Sequence, residues 1–134
     1  MKNRDDIPGQ AHHLNQDSTY RDRIPHADAV TVKLEGNAFT EPGTPHYLVH
    51  QAQEEFLNRF RRRGPGFGDP PTNLEMTRSI VDALRRAGYS DEQVRTLVRA
   101  AIQDRVKYHL LGGELAPRIP GRINQKKPDA TDEP

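Results

Sequence analysis

Cysteine is absent from the chain, so neither disulfides nor thiolate zinc knuckles are available. Any transition-metal site must be built from His, Asp or Glu. Long apolar runs are absent too. No stretch is long enough to span a bilayer and no signal-peptide pattern occurs. This predicts no membrane insertion, and export, if any, by a dedicated machine or as part of a longer polypeptide. Apolar residues as a whole are scarce: 33% of the 134 residues, against 29% charged, with a mean hydropathy of -0.92. Any core is therefore thin, and a bound metal or a protein partner is a natural source of extra stability. An excess of one charge is lacking as well, since 20 basic residues stand against 19 acidic ones. That balance neither demands nor excludes a nucleic-acid partner, because the distribution of charge matters more than its sum.

What is present is a sequence of short, well-punctuated segments. Residues 1–8 (MKNRDDIP) are charged, end in proline and read as a flexible lead-in. A strand is expected over 10–14, then a long ordered loop, polar and turn-rich without periodicity, over 15–28. AVTVKLEG (29–36) alternates, with Val30, Val32 and Leu34 on one face and Thr31 and Lys33 on the other, which predicts a half-buried strand ending at Gly36. After NAFTEPGTP, Thr44 as N-cap and Pro45 at the first helical position open a helix. It is expected to run to about Arg62, with its apolar stripe on Leu48, Ala52, Phe56 and Phe60. RRRGPGFGDPP breaks this helix, and 64–71 reads as a mobile linker. Two capping boxes follow, TNLE at 72–75 and SDEQ at 90–93. The first opens a helix through Met76, Ile80 and Leu84 to Gly88. The second opens one through Val94, Leu97, Val98 and Ala101 to Gly112 and Gly113. Residues 72–113 would form a helical hairpin packed on the core, and 114–134, charged and proline-rich, an extended or disordered tail. The order of elements predicts an α+β fold.

Four of the six histidines carry the main signal. Adjacent side chains on a strand point to opposite faces, so His12 and His13 suit two neighbouring but different tasks. His46 and His50 lie four apart on the expected helix and share a face, with Cβ atoms roughly 5–6 Å apart. That spacing is a common way to bring two imidazoles to one metal. With the apolar stripe on Leu48, Ala52 and Phe56, both are expected beside the core rather than in it. His46 also sits at the positive end of the helix dipole, which keeps its ring neutral, and N–H groups at that end would seat a phosphate. Taken singly, either pair reads more readily as ordinary surface or half-buried histidines than as metal ligands. Their order singles them out: HH on a strand, a second strand, an Asn in the next loop, then HxxxH on a helix.

The run AHHLNQ…LEGNAF…PHYLVH resembles the HNH/endonuclease VII superfamily of nucleases, the ββα-metal or His-Me finger fold. More narrowly it is similar to the AHH-type and colicin-type nuclease domains found as bacterial toxins. The resemblance covers about residues 9–60, within an expected nuclease core of 9–63, and does not extend to the helical pair or the tail. It implies that His12, His46 and His50 bind one divalent metal ion (Mg, Zn, Mn or Ni), that His13 is the general base, and that Asn37 holds the ring of His13. Asn15 is a second nearby amide, but it lies too close to His13 to match the motif's topology. The resemblance further implies a non-specific, monomeric DNase domain and a cognate immunity protein in the producer. Such a domain would be secreted or injected by a bacterial delivery system and act in the cytoplasm of a target cell. A ribonuclease on the same scaffold, or a zinc-stabilised nucleic-acid-binding module without catalysis, uses the same residue types.

Beyond the histidines, Arg59, Arg61, Arg62 and Arg63 could contact phosphates beyond the cut site, or simply complement the end of a helix. Arg21 and Arg23 could brace the phosphate. His26 and His109 read as exposed or helix-terminal, Lys33 as the solvent face of a strand, and Tyr20 and Tyr47 as packing residues. The remaining arginines, Arg78, Arg85, Arg86, Arg95 and Arg99, alternate with acids and read as a charged surface.

Overall fold

The computed structural model describes residues 10–20, 22–25, 29–121 and 125. The lead-in, Arg21, His26 and most of the expected tail lie outside the described residues. The fold is α+β. Two short antiparallel strands, β1 (Gln10–His13) and β2 (Thr31–Leu34), are joined through a one-turn helix α1 (Asp17–Tyr20), and three longer helices follow, α2 (Pro45–Asn58), α3 (Asn73–Arg86) and α4 (Asp91–Lys107). Among the described residues, no helix is long and apolar enough to cross a membrane.

A two-stranded ribbon is marginal alone, so its apolar face must be covered. The register pairs Gln10 with Leu34, His12 with Val32 and His13 with Thr31. Residues directly opposite share a face. His12 therefore lies on the side of Val32 and Leu34, while His13 lies on the side of Thr31. On the covered side Leu14 and Leu34 pack with Val49 and Ala52 of α2, Ile80 and Leu84 of α3, and Val94 and Ala101 of α4. A second cluster joins Tyr20, Ile24, Leu57, Met76, Leu110 and Ala116. α3 packs against both α2 and α4.

The segment expected as a long ordered loop, and the strand after it, are tied to the helices. Beyond α1, the Tyr20 hydroxyl donates to Asn73 Oδ1 at 2.8 Å, the Asn15 amide donates to the Ala101 carbonyl at 2.8 Å, and the Val30 N–H donates to Asp104 at 3.1 Å. Periodicity is blind to such bonds, because their partners lie more than fifty residues away. Asn15 is thus a structural tie, and Tyr20 and Tyr47 are core residues, 1% and 4% exposed.

Both capping boxes form as expected, Thr72 with Glu75 and Ser90 with Gln93. α4 ends earlier than Gly112. His109 adopts a left-handed backbone (φ 62°), and the N–H of Leu110 returns to the Arg105 carbonyl, closing the helix end. α2 likewise stops at Asn58 rather than Arg62.

The expected mobile linker is a run of hydrogen-bonded turns, with Gly64 N–H to the Arg61 carbonyl and Gly66 N–H to the Arg59 carbonyl. A Cβ on Gly64 would lie 2.3 Å from the Asn58 carbonyl oxygen, so only glycine lets the chain fold back on the end of α2. The start of the expected tail is also fastened. Leu115 bridges to Thr72, and Ala116 is buried. The amide of Gln125 donates to the carbonyls of Ala38 and Tyr47 at 2.6 and 3.0 Å.

Candidate metal centre

Three local features bring the imidazoles together. β1 delivers His12 to the covered face of the ribbon. Gly36, at φ 92°, turns the chain out of β2, and a Cβ there would collide with Thr44, the N-cap of α2. The His46 N–H then donates to the Glu35 carbonyl at 3.0 Å. That bond stitches the first turn of α2 to the exit of β2, which places His46 and His50 beside His12. The ring centroids lie 5.4 Å apart for His12 and His46, 5.1 Å for His12 and His50, and 5.0 Å for His46 and His50.

The histidines are on the buried face of α2 rather than beside it. The buried residues of this helix include His46, Val49, Gln53 and Leu57, a stripe at helical spacing that His50 continues, whereas Leu48 is only half-buried. The apolar pattern was misleading here because the inner face of α2 is the one that meets β1 and α3, and that face carries the imidazoles.

One ligand atom from each of His12, His46 and His50 falls within 4.8 Å of the others. A tetrahedral ion with Zn–N bonds of roughly 2.0–2.1 Å needs donors about 3.3 Å apart, so small side-chain rotations close the gap. His12 and His46 are each 5% exposed, and both ring nitrogens of His46 and Nδ1 of His50 are buried without a hydrogen-bond partner. Leaving such atoms unpaired costs on the order of 1–3 kcal/mol each. The donor set, all nitrogen and all converging, fits a divalent cation.

Burial is the main cause of the electrostatic character of the site. It holds His12 well below the ordinary imidazole value of 6.5, and the neighbouring His50, His46 and His13 rings push in the same direction. Burial lowers His46 as well, opposed by the backbone of Gly36. His50 falls to about 4, through burial first and His46 second. At neutral pH all three rings are therefore uncharged and carry the lone pair that coordination needs.

The other expected site residues are distributed unevenly. His13 sits half-buried on the opposite face of β1, close enough for its charge to reach His12. The carboxamide oxygen of Asn37 accepts the N–H groups of Phe39 and Thr40 at 2.8 and 3.1 Å, which closes a loop turn. The phosphate seat at the start of α2 is also reduced. Pro45 has no N–H, that of His46 goes to Glu35, and that of Leu48 goes to Thr44.

Arg61 is a correction as well. It is 7% exposed and spends all five donors inside the protein, on Glu54, Asn58, and the carbonyls of Pro120 and Gly121. No donor is left for a phosphate. Arg59, Arg62 and Arg63 are exposed. Arg23 is exposed too, its guanidinium 3.5 Å from the Tyr108 carbonyl. His109 is exposed past the end of α4.

One residue near the centre escaped the sequence reading. The Phe39 ring stands 5.8 Å from that of His50 and is 44% exposed, forming an apolar wall. Its only local hint is a phenylalanine inside an otherwise polar, turn-rich loop. In comparisons with known proteins, no family model, no curated protein and no solved structure matches this chain.

Proposed function

We propose that the chain is a metal-dependent, non-specific endonuclease acting on DNA, with β1, β2 and α2 as a ββα-metal core and α3 and α4 as an added helical hairpin. One observation carries this reading: His12, His46 and His50 converge from one strand and one helix, each with a ring nitrogen within 4.8 Å of the others. The motif order that resembles the His-Me finger nucleases supports it, as does the position of His13 across the strand from His12.

In this reading His12, His46 and His50 hold one divalent ion, of Mg, Zn, Mn or Ni. Such an ion, when bound, neutralises charge on a phosphoryl oxygen and on the departing oxygen of a phosphodiester. His13 accepts the proton of the attacking water, a task suited to an imidazole because this side chain titrates near neutrality. The strand keeps acid–base and ligand functions apart by turning adjacent side chains to opposite faces. Asn37, which the resemblance assigns to holding the ring of His13, also shapes the loop that sets Phe39 against His50. Arg59, Arg62 and Arg63, with Arg23 and Arg21, are the groups available to contact phosphates away from the cut. On the resemblance alone, the domain is a monomeric toxin delivered by a bacterial secretion system into a target-cell cytoplasm and neutralised at home by an immunity protein.

The deciding experiment incubates supercoiled plasmid and total RNA in parallel, with and without chelator, using wild type and His13→Ala. Calorimetry measures Zn binding to both proteins. We expect chelator-sensitive plasmid nicking, and in His13→Ala unchanged Zn affinity with cleavage slower by about 100-fold or more. Persistent cleavage in the variant refutes the base, and cleavage indifferent to chelator refutes the metal. Preferential loss of RNA reassigns the same site to a ribonuclease.

The deep burial of His12 and His46 favours one rival, a structural zinc module. It predicts that His13→Ala leaves every activity intact while His50→Ala unfolds the protein.

A further inference from the structure

The outer face of α3 and α4 carries a feature that the metal centre does not use. Val94, Val98, Ile102 and Val106 follow one another at four-residue spacing, which aligns them along one side of α4. Val94 is buried, Val98 half-buried, and Ile102 and Val106 are 41% and 51% exposed. The stripe thus climbs out of the core onto the surface. Between it and Val81 of α3 runs an open groove of about 470 Å³, with Arg85, Arg95 and Arg99 on its rim. At Ile102 the groove meets a cavity of about 100 Å³ walled by Leu74, Val106 and Leu110, large enough for one apolar side chain. Exposed large apolar residues gather here: Leu74, Ile102 and Val106 line these two hollows, with Leu111 and Leu115 at the adjoining end of α3.

Charge narrows what this face can receive. Arg85 is paired with Asp91 at 3.5 Å, and Asp91 is the only acid lining the groove. Arg95 and Arg99 have no ion-pair partner among the described residues. A second copy of this chain, docked face to face, would set those arginines against their own kind. A nucleic acid would satisfy them but leave the valine and isoleucine floor against phosphates and sugars. An acidic helix with an apolar side satisfies both.

We infer that the α3–α4 groove is a docking site for an acidic amphipathic helix of another protein. From Val94 to Val106 the stripe is about 18 Å long, enough for three turns of the incoming helix. Its apolar residues lie on Val98 and Ile102, one of them enters the cavity at Leu110, and its flanking carboxylates face Arg95 and Arg99. The inference rests on this face alone and is independent of any cleavage chemistry.

The test uses a fluorescently labelled 18-residue peptide with leucine at i, i+4, i+7, i+11 and i+14, and glutamate and alanine elsewhere, titrated with the full chain at low salt. Saturable binding is expected, weakened at least tenfold in Arg95→Glu/Arg99→Glu, in Ile102→Asp, and at 0.5 M salt. The same peptide with lysine for glutamate should not bind. These three residues are exposed or half-exposed, and unchanged circular dichroism verifies that the variants fold. Absence of binding, or binding indifferent to the substitutions, overturns the inference. So does a duplex oligonucleotide that binds wild type and competes with the peptide for Arg95 and Arg99. A concentration-dependent dimer abolished by Ile102→Asp would assign the face to a second copy instead.

Discussion

The two ends of α2 bury polar groups in opposite ways. At its C-terminal end, Arg61 finds an acceptor for every N–H it owns: Glu54 and Asn58 from its own helix side, and the Pro120 and Gly121 carbonyls from the end of the described chain. At its N-terminal end, buried His46 and half-buried His50 lie beside His12, and Nδ1 of His50 is buried with no hydrogen-bond partner. A folded chain pairs the large majority of its buried polar atoms. The end that does so is a structural knot. The end that does not brings three neutral imidazoles close enough to hold a cation.

If that contrast is right, metal should produce the largest response. Zinc at a thousandfold excess over its dissociation constant should raise stability by about 4 kcal/mol, seen as a shift of the denaturant midpoint, and His12→Ala/His50→Ala should show none of it. Because the rings are already neutral at pH 7.5, zinc binding should release almost no protons. Its calorimetric enthalpy should then be the same in buffers of different ionisation enthalpy. A strong buffer dependence would break the comparison.

The opposite end gives the next effect. Arg61→Met removes the guanidinium that pairs with Glu54 and unties the segment at Pro120, with a predicted loss of about 3 kcal/mol in chemical denaturation. Zinc affinity of the folded variant should stay within about twofold of wild type, a difference worth less than 0.5 kcal/mol. A large fall in affinity would show that the two ends are not independent.

Acid should act on the histidine end. His12, His46 and His50 all lie below 6.5 in the folded protein. As pH falls below that value the unfolded chain takes up protons first, so stability is complete above pH 6.5 and declines toward pH 4. His50 alone accounts for roughly 3 kcal/mol over that window, measurable as a falling midpoint in metal-free buffer. His50→Phe should flatten the decline.

The smallest effect is expected far from both ends. Thr72→Ala removes the cap of α3 and should cost about 1 kcal/mol, with no change in zinc binding or its pH dependence.

Much of this was legible in the sequence, and the reason is range. Capping boxes close within four residues, so Thr72–Glu75 and Ser90–Gln93 could be read directly. The pairing of His46 with His50 follows from the pitch of one helix, and the alternation of Val30, Val32 and Leu34 from the pleat of one strand. Pattern also indicated that His12 and His13 must face apart.

Other facts exist only once distant segments meet. That the histidine face of α2 is the buried one depends on β1 and α3 closing over it, because a helix's apolar residues do not by themselves say which side a neighbour will cover. Asn37 could be named but not oriented, since its oxygen answers to the turn it happens to close. Arg61 looked like its exposed neighbours Arg62 and Arg63 because the carbonyls that claim it lie some sixty residues onward. Local spacing determined which groups could act together; burial, decided by contacts across the whole chain, determined which were left with something still to bind.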